Sequence, residues 1–335
     1  MHTIKNLQIM KDILIIHHSP CSDGSVAAAI VSFVMSCYDC KSIKLMGTTY
    51  GKYEFVSKEG EFYFESYSKS TKLTKDTEII VVDFSFPKIV IQDISPVVHS
   101  ILVLDHHKTA ADELVGEFPE NVEIIFDMNR SGAMLAWDEF YIGKLRRDSL
   151  PSAQGYSRFV KLVGMRDLWK HKGTPDQEDA EALQLALNSR ENKFDARDLE
   201  KYINDGPMFD DLLKEGHSLL RFFDSQLKEA QRNAVITFVG EENVLPIKTV
   251  AVCNASGMLA SELGNRLCEA GNNFAVVWSL DNTGEVRASV RSIGDNDCTV
   301  IAGHFGGGGH KNASGFRASL YEFLDYFKLI YLLKF

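Results

Sequence analysis

Short apolar runs alternate with helical patterns along the first half of the chain. Residues 13–16, 79–82 and 101–104 consist only of Ile, Leu and Val, which is typical of strands buried on both faces. Residues 24–37 are mostly small and apolar, as in a buried helix, and residues 131–140 have a helical pattern that Ser131 could cap. Alternation of strands and helices predicts a mostly parallel sheet with helices on both faces.

Weaker patterns complete this half of the chain. Residues 41–45 and 122–126 are further strand candidates, and residues 87–93 predict a short helix. Residues 50–72 are aromatic, charged and irregular, and could form a hairpin.

The second half begins with helical patterns and then returns to strands. We predict a connecting helix over residues 201–235, because charged and apolar residues interleave there at helical spacing. Strands are predicted after it over residues 247–252, 274–280 and 285–291, with a helix over residues 257–270. The predicted fold class is therefore α/β, with a larger N-terminal domain (1–200), the connecting helix and a smaller C-terminal α/β domain (236–335). A length of 335 residues fits two domains.

Metal-capable side chains follow three of the predicted strands. His17, His18 and then Asp23 follow the first, Asp83 follows the second, and the triplet Asp105-His106-His107 follows the third. The carboxyl ends of strands are where open α/β sheets bind their ligands. Asp167 begins another loop, after the apolar residues 159–163.

Carboxylate and imidazole groups in this mixture suit Mn, Mg, Co, Zn or Fe. Two such ions that share an Asp would lie about 3.5–4 Å apart and could hold a hydroxide that attacks phosphorus. A single Asp at a strand end is more often a helix cap or turn residue. A lone His is more often a core residue. Their recurrence on successive strand ends favours a metal site.

The order and spacing of these motifs extend over nearly the whole chain. They comprise His17-x5-Asp23-Gly24, Asp83, Asp105-His106-His107, Arg130-Ser131-Gly132-Ala133, Asp167, and Gly306 to Gly309 with His310, followed by Ala313-x-Gly315-Phe316. In these motifs the chain resembles the DHH phosphoesterase superfamily. It is most similar to the two-domain subfamily with a glycine-rich C-terminal domain, which includes oligoribonucleases (nanoRNases), phosphoadenosine phosphatases and cyclic dinucleotide phosphodiesterases.

The resemblance implies a role for each motif. Asp83 would bridge two metal ions, Asp105 would orient His106, and His107 would face the phosphate. Arg130 would act in catalysis with the triplet. The implied metal ligands are His17, Asp23, Asp83, His106 and Asp167, and Cys21 is a further candidate ligand. The implied substrate-binding residues are Ser131, Gly132, Arg291, Gly306, Gly307, Gly308, Gly309 and His310.

Cys21 departs from the family pattern, because members commonly carry an Asp two residues before the position of Asp23. Cys21 could bind the first ion as a thiolate, which would favour Zn, Fe or Co over Mg. It could also not bind, leaving a weak first site, or His18 could shift in to help. Our hypothesis is that metal chemistry is retained with an altered metal preference.

The composition of the chain limits the kinds of partner that it is expected to bind. The chain is 45% hydrophobic and 24% charged with a formal net charge of −10, so stable binding of duplex DNA is not expected. A short single-stranded oligonucleotide or a nucleotide could still bind where cations reverse the local charge. Six scattered cysteines, no membrane-length apolar run and no signal-peptide pattern predict a cytoplasmic protein with reduced thiols. A homodimer is left open.

The expected activity is that of a metal-dependent phosphodiesterase for short oligonucleotides or small nucleotides. It would use two divalent ions, with Mn favoured and Zn, Fe or Co allowed by Cys21. Two alternatives remain: a phosphatase of nucleoside bisphosphate, polyphosphate or pyrophosphate, and an inactive nucleotide-binding or interaction protein. Phe84, Phe86, Trp169 and Phe305 could stack on a base, although core packing is the favoured interpretation for each.

Overall fold

A computed structural model describes residues 11–146, 156–190, 201–203, 206–240 and 248–332. The chain divides into two units, Met1–Leu220 and Arg221–Phe335.

A five-stranded parallel sheet forms the centre of the first unit, in the order β2-β1-β6-β7-β8. Its strands are β1 (Asp12–His18), β2 (Ser42–Thr48), β6 (Thr77–Val82), β7 (Ser100–Asp105) and β8 (Val122–Phe126). Successive residues of each strand enter opposite cores. Ile13 and Ile15 belong to one core, whereas Leu14 and Ile16 belong to the other. Burial on both faces explains why these strands are continuous apolar runs.

Helices cover one face of this sheet, and a helix together with a small sheet covers the other. The helices are α1 (Ser22–Ser36), α2 (Lys88–Ile94), α3 (Lys108–Glu113), α4 (Gly132–Ala136), α5 (Arg158–Asp167) and α6 (Gln177–Asn188), and a π-helix (Trp137–Arg146) continues α4. Ser131 caps α4 by accepting a hydrogen bond from the amide of Met134, as predicted.

The region predicted as a hairpin is a three-stranded antiparallel sheet. It consists of β3 (Tyr53–Lys58), β4 (Glu61–Ser66) and β5 (Lys69–Leu73). Phe64 on β4 is fully buried in the same core as Phe84 and Phe86. The aromatic residues of this segment therefore fill the core beneath the second face of the main sheet.

A single 27-residue helix, α7 (Gly206–Arg232), spans the division between the units. Leu212 and Leu213, near its start, belong to a core of the first unit, and Leu227 belongs to a core of the second. The apolar residues whose spacing predicted a connecting helix therefore pack in two separate cores.

The second unit contains a six-stranded mixed sheet in the order β13-β14-β12-β11-β10-β9. The strands are β9 (Val235–Val239), β10 (Lys248–Asn254), β11 (Phe274–Leu280), β12 (Val286–Ser292), β13 (Gly308–His310) and β14 (Ala313–Ala318). The helices are α8 (Ala260–Glu269), α9 (Cys298–His304) and α10 (Leu320–Tyr326), with 3₁₀ turns at Gly257–Leu259 and Leu329–Leu332. The predicted α/β class, with a larger parallel-sheet domain and a smaller α/β domain, is confirmed. Strands β9, β13 and β14 were not predicted.

Among the described helices, none has the length and apolar character that a membrane span requires.

Candidate metal centre

The carboxyl ends of β1, β6 and β7 bring the predicted residues together. These strands are neighbours and all parallel, so their carboxyl ends lie at one edge of the sheet. Asp83 follows β6 directly, with 1% of its surface exposed and a φ of 54°. A non-glycine residue with this backbone conformation is strained, and such strain is concentrated at functional sites.

Asp23, His106 and Asp167 form one group that could hold a cation, since their ligand atoms lie within 4.8 Å of one another. The Nε2 atom of His106 lies 3.4 Å from Asp167 Oδ2 and 3.9 Å from Asp23 Oδ2. It also lies 3.1 Å from Asp83 Oδ1. Three carboxylates from α1, β6 and α5 thus surround one imidazole.

Asp83 belongs to two further such groups, one with His18 and Cys21 and one with His106 and His107. His18 Nδ1 lies 3.7 Å from Asp83 Oδ2. That oxygen is buried and has no hydrogen-bond partner among the described residues. A buried carboxylate oxygen without a partner is costly, so a bound cation is the natural partner for it.

The pKa values at this edge of the sheet record an excess of negative charge. Burial and the charges of Asp167 and Asp83 raise the pKa of Asp23 well above its usual range. Burial and Asp83 raise the pKa of Asp167 to about 6. Burial opposes the charge on His106, but the hydrogen bond to Asp83 and the neighbouring carboxylates raise its pKa to about 9. The cluster therefore holds protons that a divalent cation would displace.

The donor set fits divalent metal ions. Carboxylate oxygens from Asp23, Asp83 and Asp167 combine with imidazole nitrogens of His18 and His106, and this mixture suits transition metals such as Mn and Zn. Cys21 adds a sulfur atom to the group of His18 and Asp83. Burial, followed by the charges of Asp83 and Asp23, raises the pKa of this thiol well above its usual value. A cation would have to bind for the thiolate to form at neutral pH.

His17 and His18 lie on opposite faces of β1, and the structure brings His18 into the group with Cys21 and Asp83. His17, predicted as the ligand, is 5% exposed, and its Nδ1 lies 3.0 Å from the carbonyl oxygen of His18. Burial lowers the pKa of His17 to about 4, so the ring is neutral. Among the described residues, no metal-capable group contains His17.

We expect His18→Ala and His17→Ala to have different effects. His18→Ala should weaken divalent-cation binding by about 100-fold or more, since even the partners that merely orient ligands contribute 10–100-fold. The metal-free melting temperature should change little. His17→Ala should lower that temperature and leave cation affinity within a few-fold of the wild type. Calorimetric titration with Mn²⁺ and thermal unfolding measure both quantities. Equal losses of affinity in the two variants would contradict this assignment.

Asp105 is fully buried and contacts His107 rather than the ring of His106. Its Oδ1 lies 2.7 Å from His107 Nδ1 and accepts the backbone amides of His106 and His107. Its Oδ2 accepts the hydroxyl of Ser85 at 2.5 Å. Asp105 thus contacts His106 through its backbone amide, whereas the ring of His106 turns to Asp83. That Asp105 orients this ring stays a prediction. The hydrogen bond to Asp105 raises the pKa of His107.

The Arg130-Ser131-Gly132 motif supports the carboxylates. Gly132 donates its amide to Asp23 Oδ2 at 2.5 Å, and a Cβ atom there would lie 2.6 Å from Asp83 Cβ. Only glycine allows this close approach. Arg130 is paired with Asp127 at 2.8 Å and Asp138 at 2.7 Å. Ser131 is fully buried, so its hydroxyl acts within the fold.

The glycine run lies in the second unit, beside a cavity of about 640 Å³. Gly306 and Gly307 line this cavity together with Arg287, Arg317 and Phe305.

The remaining residues predicted to bind substrate in this unit lie elsewhere. Gly308, Gly309 and His310 form the exposed edge strand β13. Arg291 donates to Ser261 Oγ and to the carbonyl oxygen of Val290, and Gly264 of α8 packs against its side chain. Strand β12 is covered by α8 at Arg291, whereas Arg287 lies at the cavity.

Comparisons with known proteins find relatives that include an oligoribonuclease. A search of protein-family models finds no match. The chain is 27% identical over 312 residues to the uncharacterized protein R106 of Acanthamoeba polyphaga mimivirus, covering 90% of this chain and 66% of that protein. It is 29% identical over 221 residues to the oligoribonuclease NrnB of Bacillus subtilis, covering 64% of this chain and 52% of that protein. The chain thus spans between one half and two thirds of these relatives.

Two solved structures are similar to the chain over most of its length. One is the pGpG-specific phosphodiesterase PggH of Vibrio cholerae, at 14% identity and a TM-score of 0.50, covering 96% of this chain and 97% of that one. The other is an exopolyphosphatase-related protein of Bacteroides fragilis, at 15% identity and a TM-score of 0.49, covering 95% and 91%. The sequence motifs, the relationship to an oligoribonuclease and the α/β fold agree, and the chain resembles the DHH phosphoesterase superfamily, as its sequence predicted.

Proposed function

We propose that this protein hydrolyses phosphodiester bonds in short oligonucleotides or small nucleotides, and that it requires two divalent cations. The observation that carries the proposal is the convergence of Asp23, Asp83 and Asp167 around His106, with one buried oxygen of Asp83 left without a partner among the described residues. The oligoribonuclease relative supports the substrate class.

Asp83 would be shared by the two ions. His18 and Cys21 would join it at the first ion. Asp23, His106 and Asp167 would hold the second, where Asp83 Oδ1 lies 3.1 Å from the His106 ring. When bound, divalent cations lower the pKa of water and neutralise charge on phosphate oxygens. Manganese is the favoured ion, with Zn, Fe or Co allowed by the thiol of Cys21.

His107 is the residue that we assign to the phosphate. Its Nδ1 is engaged with Asp105, so Nε2 is the nitrogen available to a substrate. The hydrogen bond to Asp105 raises the pKa of His107 and so favours the protonated ring, and a charged imidazole can donate to a phosphate oxygen. Arg130 is held by Asp127 and Asp138, so it would contribute at most one remaining edge of its guanidinium group.

The cavity of the second unit favours a nucleotide over pyrophosphate. A pyrophosphatase would need a strongly basic pocket. The two arginines that line this cavity are paired with acids: Arg287 with Asp281 at 3.1 Å, and Arg317 with Glu285 at 2.9 Å. Pairing leaves little net positive charge for a highly charged anion.

A hydrolysis screen tests the proposal. The substrates are a dinucleotide, a longer oligomer, a bisphosphorylated nucleoside, a cyclic dinucleotide and pyrophosphate, each with Mn²⁺, Co²⁺, Zn²⁺ and Mg²⁺. We expect the dinucleotide to be turned over. Preferred turnover of pyrophosphate would overturn the proposal, and nucleotide binding without hydrolysis under every metal would establish a non-catalytic protein.

Substitution of Cys21 should change the metal preference. In Cys21→Asp we expect the affinity for Mg²⁺ and Mn²⁺ to rise about tenfold or more relative to that for Zn²⁺, since a carboxylate is a harder ligand than a thiolate. Cobalt-substituted wild type should show the near-ultraviolet band of a thiolate-cobalt bond, and Cys21→Asp should lack it. Cys37→Ser is the matched control, because Cys37 is exposed at the other end of α1. Identical metal affinities in the wild type and Cys21→Asp would exclude Cys21 as a determinant.

A further inference from the structure

Trp169 is an exposed aromatic residue two positions after Asp167. It is 45% exposed, so the core packing expected from the sequence is wrong for this residue. The other three candidates for stacking are not exposed in this way: Phe84 and Phe86 are buried, and Phe305 is half-buried in a stack with Phe316.

The backbone of Trp169 has a conformation that normally favours glycine. The amide of Trp169 donates to the carbonyl of Arg166, and the amide of Lys170 donates to that of Met165. These two bonds form a Schellman motif at the end of α5, in which the residue after the cap is left-handed and usually Gly. Trp169 occupies this position with a φ of 55°. Termination of the helix alone would therefore be served better by glycine.

Cationic side chains hold the indole at the surface. The guanidinium carbon of Arg166 lies 4.6 Å from the ring centroid, and Lys172 Nζ lies 5.8 Å from it. Both distances are within the range of cation–π attraction. Lys170, next in the chain, donates to the carbonyl of Asn129 beside Arg130. A fixed aromatic ring with positive charge around it, next to a metal-capable carboxylate, suits a molecule with both a base and a phosphate.

We propose that Trp169 is a stacking platform for one base of the substrate, so that the protein selects phosphoesters with an unpaired base over inorganic phosphates. This inference rests on the proposed function, which places the reacting phosphate beside Asp167. Trp169 lies two residues after Asp167, so their Cα atoms are at most about 7 Å apart. One nucleoside covers that length. Stacking on an aromatic side chain accepts any base, so the selection is for a base and not for a sequence.

Kinetics of two variants test the inference. Trp169→Gly should raise KM for a dinucleotide about five- to 100-fold, the fold-change that loss of one stacked base produces. Its melting temperature should be unchanged or higher, because glycine suits the left-handed position. Trp169→Phe should have an intermediate KM. A wild-type KM in Trp169→Gly would overturn the inference, as would a loss of activity that only follows a lowered melting temperature.

Abasic substrates locate the stacked base. Two dinucleotides, each lacking one base, should respond differently to Trp169→Gly. The one without the stacked base should show no change in KM between variant and wild type, and the other should show the full change. Equal changes for both would exclude stacking on this ring.

Fluorescence separates this inference from the proposed function. Adenosine 5′-monophosphate should quench the tryptophan emission of the wild type and of Trp278→Phe, and should not quench that of Trp169→Phe. If the wild type hydrolyses no dinucleotide but this pattern holds, the proposed function fails and the stacking role stands. If dinucleotides are hydrolysed and Trp169→Phe is quenched like the wild type, the stacking role fails and the proposed function stands.

Discussion

Asp83→Asn should lower dinucleotide hydrolysis about a thousandfold or more, the largest loss that we expect from any single substitution. Asp83 lies in one candidate group with His18 and Cys21, and its Oδ1 lies 3.1 Å from His106 of the other group, so under the proposed function this change removes one charged ligand from both ions. Metal ions contribute several kcal/mol of transition-state stabilisation, and each 1.4 kcal/mol corresponds to a factor of ten in rate. Steady-state rates at saturating Mn²⁺ measure the loss.

The same variant should lose the thermal stabilisation that Mn²⁺ gives the wild type. A ligand that binds only the folded state raises the melting temperature, and the rise disappears with the affinity. Asp93→Asn is the matched control, because Asp93 is an exposed carboxylate on α2 outside the site. If Asp83→Asn kept more than a tenth of the activity and the full Mn²⁺-induced shift, Asp83 would not bridge the metals.

The residues at the strand ends of the site could be predicted, because a parallel sheet buried on both faces leaves a pattern that is visible in a short stretch of sequence. Strands buried on both faces must be continuous apolar runs, and such runs end where polar residues begin. Asp83 follows β6 directly, and Asp105 is the last residue of β7. The parallel order of β1, β6 and β7 then brings their carboxyl ends to one edge.

The sequence could not predict which side of the sheet each of these side chains faces, because that depends on which of the two cores the neighbouring residues of the strand enter. His17 and His18 are both polar residues after an apolar run, and only the positions of the two cores show that His18 turns toward Asp83. For the same reason, the sequence could not show that Asp105 contacts the ring of His107 and not that of His106. The sequence did not show the surroundings of Arg291, because they come from α8, about 30 residues earlier in the chain.

Trp169 shows a third limit. The sequence after α5 has no glycine at the helix end, so it gives no sign that Trp169 adopts a left-handed backbone conformation. The indole ring is exposed because of that turn of the backbone. The usual preference of Trp for burial therefore led to the wrong expectation.

Without metal, Asp167→Asn should be more stable than the wild type at neutral pH, and the difference should grow as the pH rises. The pKa of Asp167 is raised from 3.8 to about 6 in the folded chain by burial and by Asp83. Between these values the folded state binds more protons than the unfolded state, so the wild type loses stability as the pH rises through this window. About two pKa units correspond to at most roughly 3 kcal/mol.

Thermal unfolding in chelator at pH 4.5, 6 and 7.5 measures this difference. Groups such as His17 titrate in both proteins and cancel in the comparison. Asp23 and His106 interact with Asp167 by charge, so the difference reports on Asp167 together with these two neighbours. Saturating Mn²⁺ should reverse the order at pH 7.5, because the wild type then gains the binding free energy that Asp167→Asn has lost. A variant that is less stable than the wild type in chelator at pH 7.5 would mean that the Asp167 charge is satisfied within the protein. In that case the carboxylates of the cluster would not repel one another enough for a bound cation to relieve the repulsion.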